Sequence, residues 1–164
     1  MNKIIGIVAE YNPFHNGHLY QIKKIREKYK DATIVVVSSS SFTQRGEISL
    51  LNKFDKTKVA LNNGIDLVIE LPYVYSTQSS DIFASAAIKI LNYLKINTLC
   101  FGTERDNIDD IKICAQTQLN NPEYDILVKK YLNDGFNYPT ALNKALKSLV
   151  NIEITDSNEL RALS

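Results

Sequence analysis

Four short apolar runs rich in β-branched residues alternate with helical patterns over the first hundred positions of this 164-residue chain. The runs are Ile4–Ala9, Thr33–Ser38, Leu67–Leu71 and Thr98–Phe101. Each run is apolar at consecutive positions rather than at every second one, which is typical of strands that are covered on both faces. Strands that alternate with helices are joined by right-handed crossovers into an open parallel sheet. The sequence therefore predicts an α/β fold.

Helical patterns fill the stretches between these runs and most of the chain after Gly102. Along the first pattern, apolar residues recur every three or four positions and charged residues take the opposite side. The predicted helices are Gly17–Lys30, Lys53–Asn63, Gln78–Leu94, Asn107–Asn121, Glu123–Asp134 and Tyr138–Leu149. Asn151–Ile154 is predicted to add a fifth strand. Thr155–Glu159 carries capping-box residues and is predicted to begin another helix.

Length and composition narrow the class of protein. A chain of 164 residues has the size of one domain and can be stable without a disulfide or a metal. No run reaches the ~18 apolar residues of a membrane span, and the N-terminal run lacks the cleavage site of a signal peptide. Cys100 and Cys114 do not have the spacing of metal ligands. We therefore expect a cytoplasmic protein with reduced thiols and no membrane partner.

The first strand leads directly into a turn that contains both histidines of the chain, Ala9-Glu10-Tyr11-Asn12-Pro13-Phe14-His15-Asn16-Gly17-His18-Leu19. Ligands of open α/β sheets bind at the carboxyl ends of strands, where the next helix offers free N–H groups. Gly17 removes a side chain that would keep a phosphate away, and two imidazoles can donate hydrogen bonds to phosphate oxygens. The pattern predicts a phosphate site with His15 and His18 as catalytic residues. The alternative is that both histidines only cap the helix.

His-x-Gly-His at this position resembles the signature of the nucleotidyltransferase superfamily that includes the class I tRNA synthetases. Further segments follow in order and narrow the resemblance: Glu10–Tyr20, Gln44–Glu47, Leu67–Pro72, Gln78–Ala84, Cys100–Glu104 and Tyr138-Pro139. Together they resemble the bacterial tRNA(Met) cytidine acetate ligases over essentially the whole chain. That family activates acetate with ATP as acetyl-adenylate and then acetylates N4 of the wobble cytidine of elongator tRNA(Met).

The resemblance implies a Rossmann-like nucleotidyltransferase fold of the HUP type, with about five parallel strands and flanking helices. It implies one nucleotidyltransferase-like ATP-binding domain over residues 1–164, with the C-terminal tRNA-binding region of the longer family members absent. ATP is expected to contact Gly102 after the fourth strand, and Asn158 and Arg161 near the end of the chain. The other nucleotide-binding residues that the resemblance implies are Val8, Ala9, Glu10, Tyr11, Asn12, Pro13, Phe14, His15, Asn16, Gly17 and His18.

Charged residues near the turn are candidates for binding substrate or phosphate. Arg45 lies in the loop after the second strand, where binding groups are common. Lys53, Lys56 and Lys58 open the second helix, and their alternative is a solvated helix face. Glu70 ends the third strand, where it either orients a metal or substrate or pairs with a neighbouring charge.

Mg²⁺ is expected with ATP, because a divalent cation screens the triphosphate during its reactions. The sequence offers no cluster of carboxylates that would form a protein metal site. We therefore expect the ion to be carried on the nucleotide, with no metal ligands from the chain.

The charge balance bears on RNA binding. The chain has 19 basic and 18 acidic residues, and no run of Lys or Arg exceeds two. Phosphate contacts dominate nucleic-acid affinity, so we expect elongator tRNA(Met) to bind this chain weakly. The ligands that the resemblance implies for this chain are ATP and acetate. Two other functions stay open, a small-molecule adenylyl- or cytidylyltransferase and a non-catalytic nucleotide- or tRNA-binding remnant.

Overall fold

A computed structural model describes residues 3–103 and 108–154 of the chain. The described residues divide after Gly102 into two compact units. The first contains the sheet and the second is helical. Within the described part of the chain, no helix has the length and apolar character needed to cross a membrane.

The first unit is built on a parallel sheet that has four strands among the described residues. They are β1 (Ile4–Ala9), β2 (Thr33–Ser39), β3 (Leu67–Leu71) and β4 (Thr98–Leu99), in the order β3-β2-β1-β4. Ile4 pairs with Thr33 and Val35 with Leu67, so β1, β2 and β3 end at the same edge. The predicted α/β class is confirmed, and each strand begins where the sequence predicts it.

Helices cover both faces of this sheet. They are α1 (Asn16–Lys28), α2 (Lys53–Asn62), the single turn α3 (Tyr73–Ser76) and α4 (Ser80–Tyr93). Ile34 and Val36 of β2 pack in a core with α1 and α2, whereas Val35 and Val37 pack in a second core with α4. This two-sided burial is the reason that β2 is apolar at consecutive positions.

Gly6 lets α4 approach the sheet closely. A Cβ atom at this position would lie 2.6 Å from the Ile96 side chain and 3.0 Å from that of Leu91. A residue with a Cβ at position 6 would therefore require the Ile96 and Leu91 side chains to shift.

The strand order places a topological switch point at β1. The chain moves outward from β1 to β2 and β3, and then returns to the other side of β1 to form β4. Ligands of open α/β sheets bind in the crevice outside the carboxyl ends of the strands at such a point. The turn after β1 and the segment after β4 both lie there.

The second unit consists of α5 (Ile108–Asn120), α6 (Pro122–Asn133) and α7 (Tyr138–Val150). The predicted fifth strand at Asn151–Ile154 is wrong, because this segment has no strand structure. Asn151 ends α7 in a left-handed conformation, and the Asn143 side chain bonds both backbone groups of Ile154. Ile154 thereby packs into the core of the helices, so this apolar segment is buried without joining a sheet. The helix start predicted at Thr155–Glu159 lies outside the described residues.

Candidate functional site

The turn after β1 begins with a buried tyrosine in an unusual backbone conformation. Tyr11 has a φ of 49° and only 2% of its surface exposed. A bulky residue with positive φ is rare and costs on the order of 1–3 kcal/mol, which is most often tolerated at functional sites. The Tyr11 ring packs edge-on against Phe14 and His18, with centroids 5.0 and 4.7 Å away. Tyr11 therefore supports the turn from below, as part of the core.

The two histidines cap the N-terminus of α1 reciprocally. His15 Nδ1 accepts a hydrogen bond from the Gly17 N–H at 3.1 Å, and His18 Nδ1 accepts one from the His15 N–H at 3.2 Å. Their rings stack with centroids 3.8 Å apart. Each bond satisfies a backbone N–H at the turn or in the first helical turn, where intrahelical acceptors are lacking. The capping role considered from the sequence is therefore real.

Capping also determines which ring nitrogen donates. A nitrogen that accepts a hydrogen bond carries no proton, so both rings must carry their proton on Nε2. Burial, together with the nearby His15, lowers the pKa of His18 to about 4. His18 is therefore neutral at pH 7, with one N–H left over after the cap is made. The pair combines a helix cap with two Nε2 donors.

Gly17 makes room for the His15 ring. A Cβ atom at Gly17 would lie 2.9 Å from Cε1 and 3.1 Å from Nδ1 of His15. The sequence suggested that this glycine clears space for a phosphate, but the close neighbour within the chain is the imidazole. Any side chain at this position would displace the ring that caps the helix.

A small hairpin follows β2 and is tethered to the histidine turn. Phe42 and Ile48 form an antiparallel bridge, and Gly46 turns the tip with a φ of 79°. The Glu10 carboxylate accepts from the Gln44 N–H at 2.6 Å, and the Asn12 side chain accepts from the Leu50 N–H at 2.7 Å. Arg45 lies exposed at the tip, between these two tethers. The hairpin that carries Arg45 is thus fastened to the turn on both sides.

The three lysines of α2 have three different environments. Lys53 Nζ bonds both carboxylate oxygens of Glu70, at 2.8 and 3.1 Å, and this bond is the main reason that the pKa of Glu70 is lowered. Lys58 pairs with Asp55 on the surface. Lys56 is buried, with 3% of its surface exposed. Of the two alternatives for Glu70, the structure shows pairing with a neighbouring charge. A solvated face describes Lys58 but not Lys56.

The segment after β4 lies beside β1 and α1. The Cys100 N–H donates to the Gly6 carbonyl of β1 at 2.9 Å, and the Gln21 side chain of α1 donates to the Cys100 carbonyl at 3.4 Å. Gly102 follows, exposed, with nothing within 4 Å of the place where a Cβ would stand. The backbone from Cys100 to Gly102 therefore borders the crevice at the switch point.

The structure brings together most of the predicted site residues. Val8 and Ala9 end β1, Glu10–His15 form the turn, and Asn16–His18 begin α1 at the same edge. Asn158 and Arg161 lie outside the described residues. Among residues 3–103 and 108–154, no three His, Cys, Asp or Glu side chains are grouped so that they could hold a metal ion.

The sequence did not predict the hydrogen bonds that hold the segments of the site together. The side-chain tethers of Glu10 and Asn12 and the contact of Gln21 join segments that are 34, 38 and 79 positions apart. No local pattern marks such pairs. The one available signal was the density of polar residues at strand ends.

The parallel sheet and the histidine turn together are typical of the nucleotidyltransferase class of domains. The chain belongs to the HIGH nucleotidyl transferase family, whose model matches residues 2–164.

Similar proteins give a narrower description. The chain is 44% identical to a tRNA(Met) cytidine acetate ligase of Fusobacterium nucleatum over 98% of its length, and it covers 39% of that protein. It is also 44% identical to one of Mycoplasma mobile over 97% of its length, and covers 54% of that relative. A crystal structure of Thermotoga maritima TmcAL bound with alpha-thio ATP superposes with a TM-score of 0.85 at 34% identity. That match covers 98% of this chain and 42% of the other. The chain thus spans about half or less of the length of these relatives.

Proposed function

We propose that this chain carries the adenylation site of a tRNA(Met) cytidine acetate ligase, in which acetate is activated with ATP. One observation carries the proposal. His15 and His18 cap α1 through Nδ1 and so keep Nε2–H donors at the switch point of the sheet. Relatives of this name that are 44% identical to the chain support the choice of substrates.

In the proposed reaction, an acetate oxygen attacks the α-phosphorus of ATP. A new bond forms between acetate and the α-phosphorus, and the bond to the oxygen that bridges the α- and β-phosphates breaks. Pyrophosphate leaves and acetyl-adenylate remains. The N4 amine of the wobble cytidine of elongator tRNA(Met) then attacks the acetyl carbon, AMP leaves, and the amine loses one proton.

The chain contributes preorganised donors to the first step. The Nε2–H groups of His15 and His18 would donate to phosphate oxygens as negative charge develops, which is worth about 100-fold or more in rate for one such donor. The N–H groups of Gly17, His18 and Leu19 already bond His15, so the start of α1 would add mainly the positive end of its helix dipole. Because the cap holds both rings before ATP arrives, little reorganisation is needed when the charge develops.

The rest of the nucleotide would lie along the same edge of the sheet. We assign the backbone of Val8–His18 to the phosphates, Gly102 to the adenosine, and Asn158 and Arg161 to further contacts with ATP. Arg45 at the tip of the hairpin remains a candidate phosphate ligand. Lys53 would have to leave Glu70 before it could bind a phosphate.

Mg²⁺ would be carried on the triphosphate. The oxygens of Glu10 and Asn12 at the turn bond the hairpin and Lys56, and the imidazole Nε2–H donors suit phosphate oxygens rather than a hard cation. The ion supplies charge screening, and the histidine turn supplies directed hydrogen bonds.

The test is acetate-dependent exchange of pyrophosphate into ATP by the 164-residue chain. We expect exchange that requires acetate. Exchange that requires a nucleotide or phosphopantetheine-like acceptor instead of acetate would indicate a small-molecule adenylyl- or cytidylyltransferase. ATP binding without any exchange would indicate a non-catalytic remnant.

We propose further that this chain binds ATP but holds tRNA(Met) only weakly, so that the longer relatives bind RNA mainly through their additional residues. Its 19 basic residues are nearly balanced by 18 acidic ones, so few phosphates can be neutralised. A filter-binding titration at about 150 mM salt should give a dissociation constant in the non-specific range of ~10⁻⁴–10⁻⁶ M. Tight binding that selects the tRNA(Met) anticodon would contradict this division.

A further inference from the structure

Lys56 is a buried lysine whose three N–H groups all have acceptors. Its Nζ lies 3.1 Å from the Glu10 carbonyl oxygen, 2.9 Å from the Ser39 carbonyl oxygen and 3.2 Å from Ser49 Oγ. An ammonium group has three donors and no acceptor. The Lys56 ammonium is therefore saturated within the chain, and no donor is left for a ligand.

The three acceptors belong to three different segments that meet at the proposed site. Glu10 opens the turn that carries the two histidines, Ser39 ends β2, and Ser49 lies in the hairpin that carries Arg45. Burying an ammonium costs free energy unless it is fully hydrogen-bonded. A lysine at this position is therefore stable only while all three segments stay in place.

Glu10 takes part in two of the links at once. Its carbonyl accepts from Lys56, and its carboxylate accepts from the Gln44 N–H, next to Arg45. Asn12 accepts from Leu50, next to Ser49. Turn and hairpin are thus joined by three links, and Lys56 is the one that also reaches the sheet.

We infer that Lys56 is a positioning residue, which clamps the histidine turn and the Arg45 hairpin to the end of β2. Its effect on catalysis rests on the proposed function, because it would act through the placement of His15, His18 and Arg45. The clamp itself does not rest on that function and has its own test.

Limited digestion with trypsin measures the clamp without any activity, because Arg45 is itself a cleavage site at the hairpin tip. Lys56→Met removes the ammonium and keeps an unbranched apolar stem. We expect cleavage after Arg45 to become about tenfold faster, the scale of losing hydrogen bonds to a charged group. Cleavage after Lys89 in α4 of the same unit should change less than about twofold. Lys58→Met, two positions along the same helix and exposed, is the control and should leave both rates unchanged.

Two results would overturn the clamp. One is unchanged cleavage after Arg45 in Lys56→Met. The other is equal acceleration after Arg45 and Lys89, which would show that Lys56 contributes only to the stability of the fold. Should Lys56→Met not fold, Ser49→Ala keeps the ammonium and removes only the acceptor in the hairpin. We expect Ser49→Ala to accelerate cleavage after Arg45 about threefold, and an unchanged rate would again contradict the proposal.

The catalytic consequence is tested by acetate-dependent exchange. Lys56→Met should lower kcat about tenfold in the parent chain but less than about threefold in a His18→Asn background, because both changes act through the same turn. Additive losses would contradict a positioning role. If the parent chain shows no exchange, the proposed function fails, while the digestion result still decides the clamp.

Discussion

The free backbone N–H groups at the N-terminus of α1 are capped by different side chains from those at the N-termini of α2, α6 and α7. In each of the last three, a single asparagine side chain accepts from one or two free N–H groups of the first turn. These asparagines are Asn52, Asn121 and Asn137. At α1 two stacked histidines make the capping bonds instead.

The difference shows that capping alone does not account for the imidazoles. Asparagine is among the best capping residues, and the described part of the chain uses it at α2, α6 and α7. Each imidazole makes one capping bond through Nδ1 and keeps its Nε2–H on the far side of a rigid ring, whereas the amide NH2 of a capping asparagine lies beside the capping oxygen, as at Asn52, where it bonds Asp55. The α1 terminus therefore combines a cap with donors that point to a different use.

The largest effect is expected from a variant that keeps the capping role of His18 and removes its Nε2–H donor. His18→Asn keeps an oxygen that can accept from the His15 N–H but removes the Nε2 donor. We expect acetate-dependent exchange to fall by about 100-fold or more, with a melting midpoint within about 4 °C of the parent. Exchange rates and thermal melts of the purified chain measure the two quantities.

His15→Asn is the matched variant, because asparagine at an N-cap position preserves the cap. It should behave like His18→Asn. Parent-level exchange in both asparagine variants, together with a loss in His18→Ala, would show that the histidines serve only as caps.

A second prediction concerns the pH dependence of stability. The cap of α1 contains a histidine, which titrates, whereas the asparagine caps of the other helices do not. The pKa of His18 is lowered from 6.5 to about 4 in the folded chain. Between these values the unfolded chain binds a proton at His18 and the folded chain does not. The free energy of unfolding should therefore decrease as the pH falls from about 6.5 to about 4, by at most ~1.4 kcal/mol per pH unit.

Urea unfolding at several pH values measures this dependence. The difference between the parent chain and His18→Asn isolates the contribution of His18 from that of the carboxylates. Parallel stability curves for the two proteins would contradict the lowered pKa.

The smallest expected effect lies at an ordinary cap. Asn137→Ala removes the acceptor for the Thr140 N–H at the start of α7. We expect a loss of about 1 kcal/mol in the stability of the helical unit, measured by urea unfolding, and no change in exchange. A loss of exchange as large as that of His18→Asn would show that capping as such controls activity.

Much of the first unit could be predicted from the sequence because its strands are buried on both faces. Continuous apolar runs such as Ile4–Ala9 have few other stable placements, and two histidines in one turn after a strand are conspicuous. The fifth strand at Asn151–Ile154 could not be separated from a helix-packing segment, since both bury isoleucines. Hydrogen bonds from the distant Asn143 decided that case.

The lysines of α2 show most clearly what could not be predicted from the sequence. Lys53, Lys56 and Lys58 lie within six positions, and sequence spacing alone cannot tell a buried ammonium from an exposed one. Their different environments depend on Glu70, Asp55 and the carbonyl groups at strand ends, which only the tertiary fold brings near. The strand ends could be predicted, but the hydrogen bonds across them could not.

The central claim is that the α1 cap leaves two Nε2–H donors facing a nucleotide. It is tested most directly by long-range ¹H–¹⁵N spectra of the ¹⁵N-labelled chain, in which His15 and His18 are the only histidines. At about pH 7.5, we expect both rings to carry their proton on Nε2 with Nδ1 unprotonated, and both Nε2 signals to shift when ATP is added. A proton on Nδ1 of either ring, or Nε2 signals that do not move with ATP, would contradict the account.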